Sequence, residues 1–218
     1  MDNEQTEVEA PPVALRAPQG KGHRSVVMLF DQWFIACAVG ELGGAPIART
    51  IQGIPLVLFR GENGEPAALL DRCPHRNVPL SMGRMRGPLL ECAYHGWRFD
   101  SGGTCRDVPG LCAPSISEAR RATRYAAREQ DGYVWIYSTP DAEPKVAPYA
   151  FPQPGAAYGL VRHDCALACT MHAAIENALD VPHTGFLHGK LFRTAEKKNE
   201  LEVVVRRGGD SVEAEAWA

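Results

Sequence analysis

Cys73-Pro74-His75 and Cys92-Ala93-Tyr94-His95 are two short ligand-bearing stretches separated by sixteen residues. Each joins one thiol to one imidazole. Zinc sites with two Cys and two His usually set like beside like, Cys-x2-4-Cys followed by His-x3-5-His. Here each Cys is paired with a His, twice. That pattern argues against a single zinc, and against four unrelated side chains.

The flanks add to it. Arg76 follows the first pair, Gly96-Trp97 follows the second, and Pro79-Leu80-Ser81 lies between. The stretch resembles the Rieske domain of the Rieske non-heme iron oxygenases. The resemblance implies a 2Fe-2S cluster with Cys73 and Cys92 on one iron and His75 and His95 on the other. Exchanging two thiolates for neutral imidazoles removes negative charge and raises the reduction potential. For Tyr94 two roles stand open, a hydrogen bond to a cluster sulfur and plain packing.

Residues 176–188 read Glu-Asn-Ala-Leu-Asp-Val-Pro-His-Thr-Gly-Phe-Leu-His. The skeleton Asn177, Asp180, His183, His188 resembles the Asn-x2-Asp-x2-His-x4-His element of the same family. There the two histidines and a carboxylate hold a mononuclear Fe(II), a facial triad that leaves positions open for dioxygen and substrate. On a regular helix, residues five apart are rotated by about 140°. A helix break between His183 and His188 is therefore expected, with Pro182 and Gly185 as the breakers. The resemblance also gives Asp180 a role. It bridges the two centres, bonding His95 of one subunit and His183 of the next. Without that context, Asp180 reads as a helix-surface carboxylate.

The third iron ligand is not visible. In the family it is a carboxylate far downstream, and Asp210 is the only aspartate after His188. Its setting, Arg207-Gly208-Gly209-Asp210, reads as the turn of a hairpin between 201–206 and 211–217, a poor place for a ligand. A two-stranded sheet alone is marginal. The expectation is a chain cut within its catalytic domain.

Composition excludes several classes. A formal net charge of −3 gives no electrostatic case for nucleic acid or membrane. No apolar run reaches the length of a span, the longest being Trp33 to Val39. The start, Met1-Asp-Asn-Glu-Gln, carries no signal-peptide pattern. Seven cysteines, two of them assigned to the cluster, leave an odd remainder. That favours reduced thiols and a cytoplasmic setting. Cys105 and Cys112 could pair but read as buried or loop residues, and Cys165 and Cys169 as packing within a helix or strand.

The expected architecture is α+β. Residues 1–24 read as a flexible tail, 25–140 as an all-β Rieske domain, and 141–218 as the start of a helix-over-antiparallel-sheet catalytic domain. Strands are expected at 54–59, 67–71 and 133–137, and a helix at 172–179. The function implied is a terminal oxygenase that hydroxylates, dihydroxylates or demethylates an organic, aromatic substrate with O2. It implies an NADH-dependent reductase or ferredoxin as partner and a homotrimer. The rival readings are a Rieske electron-transfer protein and a non-catalytic scaffold.

Overall fold

The run Ile54-Pro-Leu-Val-Leu-Phe-Arg60 has no polar alternation, the mark of a strand covered on both faces. In the computed structural model it is the third of eleven strands in the Met28–His163 unit. The structure describes residues 28–153, 155–161, 163, 165–180, 183–188, 202–209 and 212–217. Residues 1–24, read above as a tail, and Asp210 lie outside these.

In chain order the strands are β1 (Trp33–Ala38), β2 (Ile47–Ile51), β3 (Ile54–Arg60), β4 (Pro66–Leu70), β5 (Arg84–Arg86) and β6 (Leu89–Glu91). They continue with β7 (Arg98–Phe99), β8 (Cys105–Asp107), β9 (Arg124–Tyr125), β10 (Ala127–Gln130) and β11 (Tyr133–Tyr137). They form three antiparallel sheets, ordered β1-β11-β10, β2-β3-β4-β9 and β5-β6-β7-β8.

Because side chains alternate along a strand, β3 and β4 feed two separate cores. Val57 and Phe59, with Ala67 and Leu69, enter a cluster that holds Cys73, Leu80, Leu90, Cys92, Phe99 and Cys105. Leu56, Leu58 and Ala68 enter the opposite cluster, with Cys37, Tyr125, Val134 and Ile136. The first core lies beneath the two ligand loops. The second packs the β1-β11-β10 sheet. The sheet between is a wall with oil on both sides.

The chain entering β1 is tied to the chain leaving β11. Asp31 N–H donates to Thr139 Oγ1 at 2.8 Å, Lys145 Nζ donates to Asp31 Oδ2 at 2.6 Å, and Trp33 Nε1 donates to the Val146 carbonyl at 2.7 Å. Lys145 and the Thr139 hydroxyl hold the Asp31 carboxyl below the usual carboxylate range.

The second unit contains residues 164–218. Thr170 caps α1 (Met171–Leu179), its hydroxyl accepting from Ala173 N–H at 3.2 Å. Next comes α2 (His183–Leu187), then a hairpin of β12 (Glu202–Arg207) and β13 (Val212–Trp217), paired from Glu202↔Trp217 to Arg207↔Val212. The strands and helix expected here and in the first unit are present within a residue or two. One expectation is corrected. Cys165 and Cys169 are exposed and lie in neither helix nor strand. All seven cysteines are free thiols, with Cys105 buried and Cys112 exposed. No helix among the described residues is long and apolar enough to cross a membrane.

Candidate metal centre

The two ligand pairs sit on two loops of the same construction. In the first, Cys73 N–H donates to the Val78 carbonyl at 2.9 Å and Asn77 N–H to the Cys73 carbonyl at 2.8 Å. In the second, Cys92 N–H donates to the Trp97 carbonyl at 2.8 Å and Gly96 N–H to the Cys92 carbonyl at 3.1 Å. Each loop thus closes on its own cysteine, with the same four- and five-residue reach. The fourth residue after each cysteine is left-handed, Asn77 at φ 58° and Gly96 at φ 71°. Asn and Gly are the residue types that tolerate this conformation.

Both cysteines are pulled into the core, and both histidines stay at the surface. The His75 and His95 ring centroids are 4.6 Å apart. His75 stacks on Trp97 at 4.7 Å with an interplanar angle of 2°, which fixes the plane of the imidazole. Tyr94 is exposed, its ring 3.9 Å from that of His95, so the described contact is packing. The four side chains, with Arg76, Val78, Tyr94 and Trp97, line one tight pocket.

The donor set fits a two-iron cluster. Burial pushes the Cys73 thiol up to about 11, while backbone N–H groups of His75 and Arg76 favour its thiolate. A cationic metal pair supplies the positive charge that burial withholds, and amide donors to sulfur are a known means of tuning such clusters. Desolvation, then His95 and Arg76, hold His75 below the ordinary imidazole range, so a lone pair is available to a metal.

The loops are anchored from below. Asp71, just before Cys73, is buried and accepts from Ser81 N–H at 2.7 Å and Ser81 Oγ–H at 2.6 Å. Glu91, just before Cys92, is buried and accepts from Arg84 Nε at 2.7 Å and Arg98 Nε at 2.9 Å, with Arg86 at 3.5 Å. Arg98, then Arg84, hold its carboxyl down at about 2. The sequence reading missed this four-residue network. The registers Arg84↔Glu91 and Glu91↔Arg98 place both arginines opposite one carboxylate, which only the strand pairing reveals.

The second candidate site is on α1 and α2. Asn177 is exposed on the last turn of α1, and Asp180 is its C-cap. His183 and His188 have ring centroids 5.6 Å apart, edge to face. The expected helix break does not fall between them. His188 N–H donates to the Thr184 carbonyl at 3.1 Å, a helical bond. The chain leaves helix after Leu179 instead, where Asp180 takes φ −80°, ψ 80°. His183 Nδ1 lies close to the Asp180 carbonyl and 3.8 Å from Asp180 Oδ2. A ring nitrogen held as donor there leaves Nε2 of His183 free for a metal. Among the described residues no group of three His, Cys, Asp or Glu is gathered to hold one ion. Each iron of the first site needs only two protein ligands, whereas the second pair lacks a third.

Residues 32–118 match the family model of the Rieske [2Fe-2S] domain. The chain is 36% identical over 185 residues to the oxygenase component of dicamba O-demethylase from Stenotrophomonas maltophilia, covering 82% of this chain and 53% of the relative. It is 31% identical over 209 residues to the phthalate 4,5-dioxygenase oxygenase subunit of Pseudomonas putida, covering 92% and 43%. A crystal structure of dicamba monooxygenase with non-heme iron and dicamba superposes with a TM-score of 0.64 at 29% identity, over 86% of this chain and 54% of that one. The chain spans about half the length of the curated relatives it matches.

Proposed function

We propose, from the premise that this chain belongs to the Rieske oxygenases and carries their [2Fe-2S] domain, that it serves as an oxygenase component. Cys73, His75, Cys92 and His95 would hold the cluster, and His183 and His188 a mononuclear Fe(II). When bound, the two groups supply one-electron storage and dioxygen activation beside an organic, aromatic substrate, which would be hydroxylated, dihydroxylated or demethylated. The observation that carries the reading is the matched pair of loops, each closing on its own cysteine and together presenting two buried thiols and two surface imidazoles.

The chain's own residues have distinct tasks. The core under the loops excludes water from Cys73 and Cys92. Trp97 orients His75. Asp180 orients His183 and would also bond His95 of a neighbouring copy, with Asn177 beside it in sequence. That arrangement needs a closed ring of copies, a homotrimer, in which every ligand loop meets a neighbour's α2. Electrons would come from an NADH-dependent reductase or a ferredoxin. We assign 25–140 to the redox domain and 141–218 to the start of the catalytic domain.

The test is spectroscopic. His75→Cys or His95→Cys should move the reduced-state EPR signal toward that of an all-thiolate cluster and lower the potential, because a thiolate adds negative charge. An unchanged signal in both variants would refute the ligand assignment. His183→Ala, made in a chain that carries the third ligand, should abolish oxygenation and leave that signal intact.

A further inference from the structure

One face beside the ligand loops is cationic although the chain is not. Between Asp71 and Arg98 lie five arginines against two carboxylates, in a chain of formal charge −3. Both carboxylates are buried, Asp71 on Ser81 and Glu91 on the arginines, so little negative charge reaches solvent there. Arg84 and Arg86 stand on β5, the edge strand of its sheet, with side chains 66% and 51% exposed. Glu91 holds them from behind. Glu91 thus fixes three guanidiniums, and Arg98 is paired a second time with half-exposed Asp107 at 2.9 Å, so the excess positive charge lies at Arg84 and Arg86.

Between these arginines and the second ligand loop runs a groove of about 310 Å³. Met82, Gly83, Arg84, Glu91, Cys92 and Gly96 line it. Met82 is 68% exposed at its rim. The groove therefore ends on a cysteine of the cluster loop. It does not include His75 or His95.

We propose that this face is the docking site of an acidic one-electron carrier protein, which delivers its electron at the Cys92 side and leaves the histidine side free. The proposal rests on the cluster assignment above. Complementary charge steers such an encounter, and exposed Met82 at the groove's rim gives an adaptable apolar contact. The step is a bare electron transfer. The reduced carrier loses one electron, the oxidised cluster gains one, and no bond is made or broken.

The probe is a reduced, acidic plant-type [2Fe-2S] ferredoxin, mixed with the cluster-loaded 218-residue chain. Cluster reduction is followed by absorbance at low and high salt. Ferredoxin binding to the metal-free chain is measured by calorimetry. The double variant Arg84→Glu/Arg86→Glu should be reduced at least about tenfold more slowly at low salt. The difference should close at high salt, and calorimetric binding should weaken in step. Because both arginines also pair with Glu91 behind the second ligand loop, the rate is read against that of a small neutral donor, photoreduced deazaflavin, and the ferredoxin-to-deazaflavin ratio should fall at least about tenfold. Arg84→Gln/Arg86→Gln should fall between, and Arg128→Glu on β10 should behave as wild type. Equal rates for wild type and the reversal variant at low salt, with the cluster spectrum intact, would overturn the docking site alone. So would equal slowing with deazaflavin, which would mark a structural defect. A wild-type chain that takes up no Rieske-type cluster would overturn the cluster assignment and the docking site with it.

Discussion

Gly103 follows the Ser101-Gly102 turn with φ +80°, and a Cβ placed on it would lie 2.0 Å from the Ala122 carbonyl oxygen. Its own amide and carbonyl are engaged, donating to Asp100 and accepting from Ala122. Gly103→Ala must therefore move a backbone strand segment, and a loss of at least about 2 kcal/mol is expected in denaturant unfolding. Gly102→Ala, where the nearest atom is a carboxylate oxygen at 3.2 Å, should cost well under half as much. Similar losses for both would mean that the close approach is not what requires glycine. At this scale the candidate ligands were legible, because Cys and His in mixed pairs carry their own chemistry. Glu91 was not. Its meaning depends on hairpin register, and a charged residue on a short strand reads as solvated surface until the opposing residues are known. The placement of the helix break failed for a related reason. Pro182 and Gly185 flank His183 on both sides, and sequence alone does not say which of two breakers acts.

At the scale of elements, β3 decides the molecule. It was legible as a strand from its apolar run, but its two-sided role was not, since a run without alternation names no preferred face. Neighbours on the strand should therefore differ in what they disturb. Leu58→Ala and Phe59→Ala each remove a fully buried side chain and should each cost about 3–4 kcal/mol. Only Phe59 faces the core that contains Cys73 and Cys92. Its variant should lose the cluster on gentle dilution or chelation faster than Leu58→Ala at matched stability, as followed by visible absorbance. Equal cluster loss in the two would argue that the sheet does not separate the cores mechanically. Strands β1 and β8 were among those not anticipated. The first was noticed only as an apolar stretch too short for a membrane, and the second has three residues of unremarkable propensity that pair because the second loop returns there.

For the whole molecule, two predictions concern how parts are held. Asp31 and Lys145 join positions 114 residues apart. The carboxyl is held below its usual range in the fold, so its contribution is present above the unfolded value near pH 4 and is lost as pH falls through the lower, folded one. Lys145 is raised by the same partner, so its share is lost only as pH rises above about 10.4. Unfolding followed from pH 7 to pH 2 should lose this contribution only below about pH 4. Asp31→Asn should lower stability at neutral pH and flatten that acid limb. An unaltered acid limb in the variant would remove the pair as its source. The second prediction concerns assembly. If Asp180 bridges neighbouring copies, Asp180→Asn in a chain carrying the third iron ligand should keep metals and oligomeric state and lose most turnover. A monomer of full activity, or normal turnover in the variant, would contradict the trimeric route.

The tie at Asp31 has a further consequence. Both ends of the β-domain emerge from one small spot, bound to each other through Asp31, Thr139 and Lys145. A module whose entrance and exit coincide can be spliced into a surface loop of a host protein without stretching either partner. In engineering terms the stretch from Asp31 to Lys145 is a plug with adjacent pins, a redox insert that could be wired into other scaffolds at a single point of attachment.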